Sequence, residues 1–400
     1  MKQAITCILL LVLIVSCDMK KNKDAVPSGF LKIYNEGSYS NQYTPLDMEQ
    51  TTDDGYLILS AAKIETSAFP GIYIMKIDKD GNALHTQLLS DTYVSATPNL
   101  IRNGSEYYFV CMDRQNLGTY IMSVSETGEA TESAFMNEIQ YPLSTELNES
   151  NAQLVIQHYN KDDLKTIVSS VSKTGVISAS RSFSIGTGEF NVEQPIIDHL
   201  TGNGKTYPFL TGKLSSNRFY FNGFYNYTLS LCVFDFNWDK DDKPAAVQGY
   251  RDERCISSVI PIGPNQIATS RYAYGNNFIL PSATIPINSN TFSANSDLEG
   301  FLIPELIYNA PMALKAMTIN GRAMHVYACT TKSSQVLLMT YDASTHQLIG
   351  TKNVGATNPF EMANIIQTSD GGIAVLATTQ IAGRFSRIAV FKIGKEELGW

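Results

Sequence analysis

Charge is scarce in this 400-residue chain: Asp, Glu, Lys and Arg make up 17% of it, where about a quarter is usual. The net charge is −8, and the densest basic cluster is only Lys20, Lys21 and Lys23. An acidic surface without a basic stripe repels a phosphate backbone, which excludes nucleic acid as a partner. No HExxH, nucleophile elbow or P-loop occurs, and the five histidines, His85, His158, His199, His325 and His346, stand singly. No CxxC pair is present, so no zinc site, no metal and no cofactor are expected. After the N-terminus no long stretch keeps a 3.6-residue apolar period, which argues against a helical protein.

What is plentiful is Tyr (21) and Phe (18), set in text rich in β-branched residues, Ser, Thr and Asn. Such text favours strands and turns. The N-terminus differs. "MKQAITCILLLVLIVS" (residues 1–16) has a basic residue followed by an apolar run over residues 5–15. A spanning helix needs about 20 apolar residues, so this run fits the core of a secretory signal. It ends "IVSC", which resembles the lipobox of bacterial lipoproteins. The resemblance implies lipidation of Cys17, which becomes the new N-terminus anchored in a bilayer. Residues 17–28 are polar and read as a flexible tether, leaving residues 29–400 as one globular domain. Of the remaining cysteines, Cys111, Cys232 and Cys329 lie in apolar strand-like text and read as buried thiols. A Cys232–Cys255 bridge is an open alternative.

Two phrases echo each other. "QTTDDGYLIL" begins at Gln50 and "QTSDGGIAVL" at Gln367, 367 − 50 = 317 residues apart. Each sits in a unit of four short strands joined by tight turns, and seven such units follow one another. Their first-turn anchors, Gly55, Gly104, Asn151, Gly204, Pro264, Gly321 and Gly371, recur at roughly 50-residue spacing. A four-strand repeat of that length predicts an all-β fold, a β-propeller of seven four-stranded blades. The seventh unit stops after three strands, while "GFLKIYNEG" (residues 29–37) is a strand without a unit. The N-terminal strand is therefore expected to complete the last blade and close the ring, leaving no open edge there.

"TTDDGYLI" also resembles the Asp-box of sialidase-type propellers. Thr51, Asp53 and Gly55 match, as do Thr368, Asp370 and Gly372, but Ile58 and Val375 stand where that motif has an aromatic. In that family the box is a structural turn, which implies a turn role for Asp53 and Asp370 here. "DKDGN" (78–82) and "DKDD" (239–242) lack the spacing of an EF-hand and read as solvated turns. The densest aromatic text is "NRFYFNGFYNY" (217–227), followed by "RYAYGNNF" (271–278). Both are expected as long insertions between the second and third strands of the fourth and fifth units. There, Phe219, Tyr220, Tyr225, Tyr227, Tyr272 and Tyr274 could form a stacking platform for a sugar or peptide.

The signal, the Tyr/Asn/Ser-rich strands and the DGG hairpins together resemble propeller lipoproteins of Bacteroidota. That resemblance implies an envelope protein, in the outer rather than the inner membrane, whose propeller is a non-catalytic binding module for protein or glycan. The alternative is a carbohydrate-active hydrolase or lyase with its site at the channel mouth. A further alternative is a structural subunit of an envelope complex.

Overall fold

The structure is a computed structural model that describes residues 29–34, 42–65, 67–186, 191–202, 206–381 and 385–400. The signal, Cys17 and the whole tether lie outside the described residues. What is described is a β-propeller, built of sheets that follow one another along the chain and are antiparallel except where Phe292–Ala294 joins Ala245–Gln248 in parallel. The first two units share a nine-stranded sheet joined through Tyr93–Val94, and each later unit has its own sheet. The second and third strands of a unit are the most deeply buried, as in Tyr56–Ala62 and Gly71–Ile77. The fourth strands face solvent, as Ala83–Leu88 does. Among the described residues no helix is long and apolar enough to cross a membrane.

Phe30–Ile33 pairs antiparallel with Phe385–Ile393 as the fourth strand of the last sheet, Phe30 opposite Lys392 and Ile33 opposite Ala389. This is the pairing the unfinished seventh unit predicts. The strand also reaches the first unit: Tyr34 Oη donates to the Gly81 carbonyl at 2.9 Å. Asn364 Nδ2 donates to Asp47 Oδ1, and the Ser369 amide donates to Gln50 Oε1 at 2.7 Å. The two echoed phrases are thus neighbours in space, in the first and last sheets. The apolar core lies between units rather than within them. One cluster joins Ile58 and Met75 to Leu376 and Val390, and another joins Leu57 and Ile74 to Phe109 and Met122.

The two echoed turns share one construction. Asp53 Oδ1 accepts from Thr51 Oγ1 at 2.5 Å and from the Gly55 amide at 3.0 Å. Asp370 Oδ1 accepts from Thr368 Oγ1 at 2.5 Å and from the Gly372 amide at 3.3 Å. The left-handed position is Asp54 (φ 61°) in the first turn and Gly371 (φ 82°) in the last. Gly55 and Gly372 serve another purpose. A Cβ there would sit 2.4 Å from the Ile77 carbonyl oxygen and 2.3 Å from that of Ile393, so each glycine allows close passage of the third strand.

Three expectations are corrected. Gly204 falls outside the described residues, and the first strand of the fourth unit runs Leu210–Lys213, so its first turn is residues 214–218. Neither aromatic segment is an insertion: Phe219–Tyr225 is the second strand of the fourth unit, buried along its length, and residues 271–278 are the end of Gln266–Ala273, a two-residue hairpin and the start of Asn276–Thr284. The extra length around the fourth unit lies partly in the connection before that unit, which carries the helix Glu193–Thr201. Its start is marked in the sequence, since Asn191 Oδ1 accepts from the amides of Glu193 and Gln194 at 3.0 and 3.3 Å. Pro195 in the first turn and left-handed Gly202 complete the signal, but nine residues are too few for a sustained period. The third correction is that Cys111, Cys232, Cys255 and Cys329 are all buried and none is in a disulfide, so no Cys232–Cys255 bridge forms.

Candidate functional site

Of the six aromatic residues singled out in the sequence, five are not offered to a ligand as a platform. Phe219, Tyr220 and Tyr225 are buried on the second strand of the fourth unit. Tyr227 is half-buried in a two-residue hairpin, its ring against Gly186. Tyr272 is buried, and its hydroxyl donates to the Asp252 carbonyl at 3.3 Å. Tyr274 is 49% exposed. The structure gathers two other tyrosines around it, Tyr250 at 46% and Tyr308 at 66% exposure.

Three connections on one end of the propeller converge here. Residues 249–253 link the fourth unit to the fifth, Tyr274 and Gly275 form the hairpin within the fifth, and residues 303–311 lead into the sixth. Tyr274 (φ 48°) and Gly275 (φ 85°) are both left-handed, the twist a two-residue hairpin favours. The Tyr274 amide donates to the Glu253 carbonyl at 2.9 Å and the Gly275 amide to Asn309 Oδ1 at 2.8 Å, fixing the connections to one another. The Tyr250 and Tyr274 ring centroids lie 6.2 Å apart. Arg254 Cζ sits 4.7 Å from the Tyr274 centroid and Arg251 Cζ 5.6 Å from that of Tyr250. Tyr308 Oη donates to Glu253 Oε2 at 3.2 Å, and Tyr207 Oη to Asp252 Oδ2 at 3.0 Å. Exposed rings held by backbone bonds, with charged groups at their rim, can stack on a flat apolar face and bond its polar edge.

A second cluster occupies the innermost strands. Asp47 is buried, accepting from the Leu100 amide at 2.7 Å, the Met48 amide at 2.8 Å and Asn364 Nδ2. Burial pushes its carboxyl pKa up. Burial and the neighbouring Asp47 raise Glu49 to about 7, against the pull of Lys315 and Arg102. Glu146 keeps exposed surface, yet desolvation in its enclosed setting raises it too, with the bond from the Leu147 amide and then Lys315 opposing. At about 7, the Glu49 carboxyl can hold a proton near neutral pH, the property a general acid requires. Each inner strand runs from a between-unit connection toward the turn into the next strand of its unit. Glu49 precedes Gln50, the last residue of Tyr43–Gln50, and Glu146 lies near the same end of Pro142–Asn148. These acids therefore sit toward the opposite end of the propeller from Tyr250, Tyr274 and Tyr308. Among the described residues no group of three or more His, Cys, Asp or Glu is placed to hold a metal ion.

No family model matches the chain, and no curated protein does. Solved structures share its shape distantly. The β-propeller domain of the Trilobed protease from Pyrococcus furiosus is 12% identical over 87% of this chain and 95% of its own, with a TM-score of 0.47. Domains 1–2 of Drosophila Semaphorin 1a are 8% identical over 92% and 88%, with a TM-score of 0.48. The Dos1 propeller is 11% identical over 88% and 96%, with a TM-score of 0.42. At such distances what those proteins do says nothing about this one.

Proposed function

We propose that this chain is an envelope lipoprotein, anchored in the outer membrane through Cys17, whose seven-bladed propeller is closed by its N-terminal strand and binds a protein or glycan without catalysis. The observation that carries the binding reading is the convergence of exposed Tyr250, Tyr274 and Tyr308 on one end of the fold. Isolated exposed aromatics are ordinary, but grouped rings at the rim of a rigid scaffold mark binding surfaces. The anchor is checked by fractionation: the Cys17→Ser chain should leave the membrane fraction and fail to take up labelled fatty acid. If it stays membrane-bound, the anchor reading is wrong. For the ligand face, the full chain is screened on a glycan array and against solubilised envelope proteins. Tyr274→Ala and Tyr250→Ala should each weaken the interaction by about 10- to 30-fold, as hot-spot tyrosines do. Undiminished binding by both variants would sink the assignment.

The raised carboxyls of Glu49 and Glu146 favour a second reading, a glycan hydrolase or lyase with its site in the channel. The same glycans incubated with the protein test it. Cleavage abolished by Glu49→Gln or Glu146→Gln would establish the enzyme, and intact glycans would dismiss it.

A further inference from the structure

Arg254 and Arg271 lie on adjacent strands, Arg254–Gly263 and Gln266–Ala273, where Arg254 faces Ala273 and Ile256 faces Arg271. The two arginines are therefore diagonal neighbours on one face of the sheet. Arg271 is 7% exposed and its guanidinium packs 4.1 Å from the Phe278 ring centroid. Its hydrogen bonds go to neutral acceptors, the Glu299 carbonyl at 3.2 Å and Asn295 Oδ1 at 3.4 Å. Neither arginine pairs with a carboxylate among the described residues. Of the acids in the loop, Glu253 accepts from Tyr308 and Asp252 from Tyr207. The amide nitrogen of Asn295 is buried beside Arg271 without a hydrogen-bond partner. Buried charges are ordinarily neutralised by a partner of opposite sign, so an arginine held only by carbonyls lacks its counter-ion. The place is notable in a chain of net charge −8. Arg254, half-buried between Arg271 and the exposed Tyr274 ring, links the deficit to the tyrosine face.

The geometry points to an acidic saccharide as the ligand of that face: a sugar ring stacks on Tyr274 and Tyr250 while its carboxylate or sulfate supplies the missing counter-ion through Arg254, with Arg271 behind it. This rests on the binding reading above and narrows it to a chemical class. Guanidinium donors match both anions in a forked geometry, and the positive charge of Arg271 stays unscreened at the back of the site. Affinity then falls with added salt, more steeply than stacking alone allows.

The test uses the full chain in detergent with three probes: polygalacturonate oligosaccharides, dextran sulfate fragments and neutral dextran fragments of matched length. Titration calorimetry should find at least one acidic probe bound 10-fold or more tighter than neutral dextran at 50 mM salt. Which acidic probe binds identifies carboxylate or sulfate as the recognised group. Arg254→Gln should erase that preference while leaving weak neutral binding, whereas Tyr274→Ala should weaken acidic and neutral probes alike, by about 10- to 30-fold. Arg271→Gln should match Arg254→Gln if circular dichroism shows it folded, and Arg254→Gln decides the matter if it does not. Equal affinity for acidic and neutral probes, or a preference that survives Arg254→Gln, overturns the inference while Tyr274-dependent binding keeps the glycan reading. Binding to none of the probes overturns both.

Discussion

Phe221→Ala is expected to destabilise the protein by about 3–5 kcal/mol, the range for emptying a fully buried phenylalanine site. Phe221 has no exposed surface, and its centroid lies 4.7 Å from that of Phe183 and 6.1 Å from that of Phe234. Phe183 belongs to the third unit and Phe234 to the fourth, so the cavity would open between units. Neighbouring backbone is paired on both sides of Phe219–Tyr225, which limits collapse into the void. Tyr274→Ala removes an exposed ring and should change stability by less than about 0.5 kcal/mol. Denaturant unfolding of the two variants separates a core aromatic from a surface one. A loss below about 1 kcal/mol for Phe221→Ala would contradict the packing described above. So would a loss for Tyr274→Ala as large as that for Phe221→Ala.

The contrast shows what the sequence makes legible. Turns announce themselves locally: "TTDDG", "TSDGG" and "DKDGN" need particular side-chain acceptors and glycines, and they mark the repeat. The pairing of the N-terminal strand with the last unit follows from simple arithmetic on strands per unit. Phe219–Tyr225 misleads for a physical reason. A strand buried on both faces loses the apolar–polar alternation by which strands are recognised. Its partner Leu210–Lys213 is only four residues long and contains Gly212, so it gives no signal either. Without that first strand, the aromatic run looks like an insertion.

The candidate site was legible at one residue, Tyr274. Tyr250 and Tyr308 stand alone in their own stretches, and only the meeting of three separate connections makes them neighbours. The same holds on the first strands of the units, where Glu49, Glu146 and Lys315 come from the first, third and sixth units. Nothing in the spacing of those residues announces that they share an electrostatic environment. A repeat fold writes its scaffold in short-range grammar and its sites in long-range contacts, so the first is read more easily than the second.

Asp53→Asn should cost about 2–3 kcal/mol, below the usual 3–5 for breaking a buried ion pair because one partner is exposed. Lys76 is 2% exposed, and its Nζ lies 2.6 Å from Asp53 Oδ1 and also bonds Thr51 Oγ1, while the Asp53 side chain is 53% exposed. Removing the carboxylate strands a buried ammonium, and the penalty comes from that charge more than from the lost turn bonds. Asp53→Asn combined with Lys76→Met should therefore recover most of the loss. The matching change at Asp370 should cost less, since its partner Lys392 is 16% exposed and can turn toward water. The pair also sets a pH dependence. Burial works to raise the Asp53 pKa, but the bonds from Lys76, Thr51 and the Gly55 amide outweigh it and hold it at about 2. An unfolded aspartate titrates near 3.9. The depressed folded value means that the contribution is complete above about pH 4 and is lost as pH falls toward 2. Denaturant midpoints measured from pH 5 to pH 2 should decline more steeply for the parent than for the double variant. Parallel profiles would show that Asp53 and Lys76 do not form the pair that fixes this turn.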